Sequence, residues 1–178
     1  GYTLTGADAA NYALVQPTGV TADITALTLI VTGATAANKI YDALLGATIS
    51  GGAISVLAGD TVTLDTANRA GVFADKNVGN GKAVTVSGYA LSGTDAANYA
   101  LVQPTGVTAN ITPLTLSVTG ATAASKTYDT SRTAVISGGS ISAISGDTVI
   151  LSTSGRAGLF GDKNVGTGKS VTVSGYTI

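Results

Sequence analysis

The chain has 178 residues, 44% hydrophobic and only 11% charged, with a net charge of −1. The balance gives no footprint for nucleic acid or an anionic membrane. No apolar run reaches the roughly 18 residues that a spanning helix needs. Cys, His, Met, Trp and Glu are all absent, which excludes disulfides, thiolate metal sites and every Ser/His/Asp or Cys/His constellation. Thr, Val and Ile favour strands, and 24 glycines supply turns. The chain opens on Gly1 and shows no basic start followed by an apolar stretch, so it reads as a fragment without a signal peptide.

In chain order, Tyr12–Gln16 and Val20–Thr25 come first, around Pro17-Thr18-Gly19. Leu27, Leu29 and Val31 then alternate with Thr28 and Ile30, the period-two pattern of a half-buried antiparallel strand. Gly51-Gly52 reads as a break. Val62 and Leu64 alternate with threonines, and Val84 and Val86 alternate with Thr85 and Ser87. Asn80-Gly81 is a hairpin-turn signal ahead of Lys82–Ser87. The stretch Thr94–Tyr99 suits one helical turn capped by Thr94. Pro104-Thr105-Gly106 then predicts a hairpin between Tyr99–Gln103 and Val107–Ile111.

From Gly88 onward the sequence repeats itself. Gly1-Tyr2 returns at Gly88-Tyr89 and Gly175-Tyr176, and Asp75–Gly79 returns at Asp162–Gly166. The offset is always 87, without a gap, and 62 of the 87 aligned positions are identical. That period is too long for a solenoid coil and suits one small β domain. The phase predicts a complete domain over 27–112, the tail of a preceding repeat over 1–26, and the front of a following one over 113–178. The expected fold is therefore all-β: small antiparallel domains, sandwich-like or β-grasp-like, arranged end to end as a stalk or fibre.

Lys39-Ile40-Tyr41-Asp42 and Lys126-Thr127-Tyr128-Asp129, with Asp75–Gly79, Val84–Gly88 and Leu91–Tyr99, resemble the YDG-type and MBG-type tandem repeats of large bacterial adhesins similar to filamentous haemagglutinin. One departure stands out, because the family's Gly after Tyr-Asp is Ala43 here and Thr130 in the second copy. The resemblance implies an extracellular stalk on a Gram-negative surface, exported through an outer-membrane partner. It implies no ligand.

Candidate chemistry is sparse. Asp60, Asp65 and Asp75 are the carboxylates that calcium would use, but Ser152 replaces Asp65 in the second copy and no ligand ladder is present. Asp60 and Asp147 fit Gly-Asp turns better. Lys39, Lys76 or Lys82 with Asn77 or Asn98 are the candidates for an internal cross-link. Tyr41 and Tyr128 invite a binding-site reading, against which stands a tyrosine that buries its ring and leaves its hydroxyl to water or backbone. Leu44-Leu45 becomes Ser131-Arg132, as a variable loop would. The expectation is a structural stalk or filament repeat, extracellular, with no enzymatic activity, catalytic residue, metal or cofactor. The alternative is a carbohydrate- or surface-binding module. Expected partners are neighbouring repeats end to end, with strand donation between copies as a further route. Nucleic acid and membrane insertion are not expected.

Overall fold

The computed structural model describes residues 1–178, and every regular element is a strand apart from two single 3-10 turns at Ala9–Asn11 and Ala96–Asn98. Eleven strands belong to the first full repeat. They are β1 (Leu27–Ile30), β2 (Thr32–Ala36), β3 (Lys39–Ile40), β4 (Gly46–Ala47), β5 (Ile49–Ala53), β6 (Thr63–Asp65), β7 (Ala70–Phe73), β8 (Gly79–Ser87), β9 (Ala90–Ser92), β10 (Tyr99–Val102) and β11 (Thr108–Thr112). A five-stranded sheet in the order β3-β11-β8-β7-β4 forms the body, flanked by the two-stranded ladders β1-β10, β2-β5 and β6-β9.

Most of the alternating residues face as their period requires, although Leu27 at the start of β1 is exposed. Val84 and Val86 of β8 are buried while Ala83, Thr85 and Ser87 are exposed. Val31, Ile49, Phe73, Tyr89, Val107, Ala109 and Ile111 close around them as one core, with Phe73 and Ile111 fully enclosed. Each large side chain so buried is worth about 1.5–3 kcal/mol of transfer free energy. Ile30 points outward, which explains why Ser117 is tolerated at the same place one period later.

Several local expectations are corrected. The sheets are mixed rather than purely antiparallel: β1 runs parallel to β10, with Leu27 opposite Tyr99 and Ile30 opposite Val102, and β3 runs parallel to β11. Consequently Tyr99–Gln103 and Val107–Ile111 are not a hairpin. Pro104-Thr105-Gly106 is a corner at which the chain leaves β1 and enters the five-stranded sheet, between β3 and β8. The Pro-Thr-Gly signal specifies a bend, and the core decides which strands meet across it.

Asn80-Gly81 does not reverse the chain either. It lies inside β8, where Ala109 faces Lys82 and Ile111 faces Gly79, so β8 carries one extra residue as a bulge. Gly81 takes φ +59° there, and its N–H donates to Asn110 Oδ1 at 2.7 Å. Gly51-Gly52 is likewise within β5 rather than a break. A Cβ on Gly52 would meet the Tyr89 ring at 2.5 Å, so the glycine makes room for the core aromatic. The helical turn exists, but Thr94 does not cap it: Thr94 Oγ1 donates to Asp95 Oδ2 at 3.2 Å, and that oxygen also accepts Thr61 N–H at 2.7 Å.

The second copy contributes β12 (Thr119–Ala123), β13 (Thr133–Ala134), β14 (Ile136–Ser140), β15 (Ala157–Phe160) and β16 (Val171–Ser174). Its registers repeat those of the first, for example Ala34 opposite Gly51 and Ala121 opposite Gly138. The β6-β9 ladder shrinks to the bridge between Ser152 and Thr177. Residues 114–117 and 126–127, the counterparts of β1 and β3, are in no strand. In the complete repeat their partners are β10 and β11.

Candidate functional site

The Lys-x-Tyr-Asp segment folds into a loop held from inside. Lys39 Nζ donates to Asp42 Oδ1 at 2.7 Å and to the Leu44 carbonyl at 2.7 Å, while Leu44 N–H donates to the same Asp42 oxygen at 2.9 Å. The ammonium sits 5.3 Å from the centre of the Phe73 ring. The second copy repeats the arrangement with Lys126, Asp129, Ser131 and Phe160. The hydrogen bonds from Lys39 and Lys126 hold the Asp42 and Asp129 carboxyls below their ordinary range. The residue after Tyr-Asp is left-handed in both copies, at φ +62° for Ala43 and +67° for Thr130.

The second shared motif works in the same way. Asp75 Oδ1 accepts Lys82 Nζ at 2.7 Å and Asn77 N–H at 2.8 Å, tying the loop ahead of β8 to that strand. Lys169 and Asp162 form the matching pair, with Asn164 N–H on the same carboxylate. Lys82, then the Asn77 amide, lower the Asp75 pKa, and Lys169 does the same for Asp162. Both motifs thus serve as loop staples.

One cluster joins the two copies. Tyr41 of the first repeat donates its hydroxyl to Asp147 Oδ2 of the second at 2.7 Å. Lys76 Nζ, also of the first repeat, lies 3.1 Å from Asp147 Oδ1 and 6.0 Å from the Tyr41 ring centre. Asp147 occupies the Gly146-Asp147 turn, with its own N–H on the Ile144 carbonyl at 3.0 Å, and its side chain is only 16% exposed. The Tyr41 hydroxyl and then Lys76 lower its pKa, and the carboxylate in turn raises that of Lys76. Asp60, one period earlier, accepts the Tyr99 hydroxyl of its own repeat at 2.5 Å, which raises the Tyr99 pKa. The Gly-Asp turn therefore presents a carboxylate to tyrosines on two sides: one within its repeat, one from the repeat before.

Of the residues singled out in the sequence, Tyr41 and Asp147 meet, a contact that neither local motif predicts. Tyr128, the counterpart of Tyr41, is exposed. Asp60, Asp65 and Asp75 do not converge: Asp60 holds Tyr99, Asp65 caps the Ala67 amide at 2.8 Å, and Asp75 pairs with Lys82. Each candidate cross-linking lysine is ion-paired with an aspartate, Lys39 with Asp42, Lys76 with Asp147 and Lys82 with Asp75. Leu44 and Leu45 are exposed, as a variable loop requires. Nothing local marks Lys76 as a joint residue beyond its place beside Asp75 in a motif shared by both copies.

No curated protein and no solved structure matches the chain. The YDG domain matches it twice, over residues 25–107 and 112–178, and so spans most of its length, including both Tyr-Asp loops and both aspartate–lysine staples. The chain belongs to the YDG domain family, with two matched segments in tandem.

Proposed function

We propose that this chain is a stalk or filament segment of a secreted bacterial surface adhesin, a structural element that carries no catalysis. The observation behind this reading is the Tyr41–Asp147–Lys76 joint, which ties one repeat to the next with only Pro113 between the end of β11 and the counterpart of β1. A repeat clamped to its neighbour in this way transmits direction along the chain, which a flexible Gly/Ser linker does not. Loops stapled by ion pairs also hold their shape without disulfides or metal.

The alternative, a glycan- or surface-binding module, asks for gathered exposed aromatics. Tyr41 is engaged by Asp147 and Tyr89 and Tyr99 are buried, so the complete repeat gathers none of these three on an open face.

Small-angle scattering on residues 1–178 tests the stalk reading. A single elongated shape is expected for the parent, with a broader distribution of lengths for Asp147→Ala. Equal breadth in the two proteins would overturn the rigid-stalk reading, and selective retention on a glycan array would favour the binding module.

A further inference from the structure

Asn80-Gly81 is the only Asn-Gly pair in the chain. Such a pair carries latent chemistry, because the backbone nitrogen of the second residue can attack the asparagine side-chain carbonyl. Glycine permits this best, since it has no side chain to shield its nitrogen and the freest backbone. Every other asparagine in the chain is followed by Tyr, Lys, Arg, Val or Ile.

The pair is open to solvent. Asn80 and Gly81 are both exposed, and a Cβ on Gly81 would meet nothing within 4 Å. Crowding therefore does not restrain the reaction, and hydrogen bonding does. Asn80 and Gly81 together oppose Asn110 at the bulge, with Gly79 fixed against Ile111 on one side and Lys82 against Ala109 on the other. The Gly81 N–H donates to Asn110 Oδ1 at 2.7 Å, so the nitrogen that would attack keeps its proton and points away from its own asparagine. Asn110 is anchored in turn, because its backbone N–H donates to Asn38 Oδ1 at 2.7 Å. A relay of two side-chain carboxamides thus runs from the residue before β3, across β11, to the bulge of β8. In the second copy Ser125 and Thr167 stand in the places of Asn38 and Asn80, so neither the relay nor the reactive pair recurs there.

We propose that Asn80-Gly81 is a self-modification site of the repeat, latched by the Asn110 carboxamide and released when β11 separates from β8. On release the Gly81 nitrogen gives its proton to hydroxide and bonds to Asn80 Cγ. The Cγ–Nδ2 bond breaks, Nδ2 leaves as ammonia, and a five-membered succinimide remains. Water then adds to one of its two carbonyls. Cleavage at Cγ restores the main chain with an aspartate, and cleavage at the backbone carbonyl leaves an isoaspartate, whose main chain is one methylene longer. No electrons are exchanged, and water and hydroxide are the only co-reactants. Either product adds a carboxylate to β8. The isoaspartate also pushes Gly79 and Lys82 apart, so the old register on β11 cannot reform. The mark is permanent and records that the repeat has opened. The inference does not rest on the stalk reading.

Peptide mass mapping of the 178-residue chain, kept folded at mildly alkaline pH, follows conversion at Asn80. A synthetic peptide of residues 77–84 supplies the unlatched rate. The folded chain is expected to convert at least about ten-fold more slowly than the peptide, and Asn110→Ala to recover about five- to ten-fold, the worth of one hydrogen bond. Asn110→Asp keeps an acceptor for the Gly81 amide and should stay as slow as the parent, which separates the latch from general loosening of the sheet. Hydrogen exchange on the unaltered chain gives a reading that needs no variant, and the Gly81 amide should exchange slowly despite its exposure. A folded chain that converts as fast as the peptide overturns the proposal, as does a Gly81 amide that exchanges as freely as the peptide's. An Asn110→Ala rate equal to the parent's, or equal acceleration by Asn110→Ala and Asn110→Asp, also overturns it.

Discussion

Ala43 and Thr130 stand one period apart and share a left-handed backbone, the only two residues other than glycine that do so. An L-residue in that region costs about 1–2 kcal/mol, partly offset by the 0.5–1 kcal/mol of extra entropy that glycine loses on folding. Ala43→Gly is therefore expected to raise the unfolding free energy by up to about 1 kcal/mol. Thr130→Gly should gain more locally, because a β-branched side chain fits positive φ worst. Urea midpoints read the first and hydrogen exchange around residues 126–131 the second. A lower midpoint for Ala43→Gly would show that the Ala43 methyl contributes packing greater than its strain.

Val86 and Val173 form a matched pair, 4% and 38% exposed. Val86→Asp buries an unpaired carboxylate and should cost about 3–5 kcal/mol, most of the stability of a small domain. Val173→Asp keeps access to water and should cost under about 1 kcal/mol. Thermal melts of the two variants check the difference, and equal losses would mean that the second copy buries its β16 face in solution.

The joint should depend on pH at both extremes. The Asp147 carboxyl has a lowered folded pKa, so its contribution is complete above the ordinary carboxylate value and is lost as pH falls through the lowered one. Lys76 has a raised folded pKa, so its contribution is complete below the ordinary amine value and is lost as pH rises through the raised one. The repeats should stay coupled across the neutral range and loosen in strong acid and strong alkali. Asp147→Asn should abolish the acid limb while keeping a hydrogen bond to Tyr41. Scattering profiles across pH measure this, and a neutral-pH transition would contradict it.

Chelator should leave the melting temperature unchanged, because Asp60, Asp65 and Asp75 have separate partners within the protein. A drop on adding a calcium chelator, restored by calcium, would show that these carboxylates exchange their partners for metal.

Much of this fold is legible in the sequence, and the boundary has physical causes. Alternation places Val84, Val86 and Leu29 correctly, since burial on one face writes a period of two. The 87-residue offset carries the registers from Ala34–Gly51 to Ala121–Gly138. Alternation says which face a strand buries and not which strand lies beside it, so the parallel pairing of β1 with β10 leaves no local mark. Asn-Gly and Pro-Thr-Gly report backbone conformations, and a bulge or a corner uses them as readily as a hairpin does. Tyr41 and Asp147 lie 106 residues apart in different copies, and the periodicity that reveals each one conceals that they touch.

The parallel ladder of β1 with β10 sets how a repeat answers a pull along its chain. Tension enters at Leu27, the outer end of β1, and leaves past β11 at Thr112. Because β1 and β10 point the same way, a pull on Leu27 draws β1 lengthwise along β10. The bonds across that ladder, together with Val31 N–H on the Val102 carbonyl, are then loaded in shear and share the strain. An antiparallel hairpin pulled from its two free ends would peel open one rung at a time.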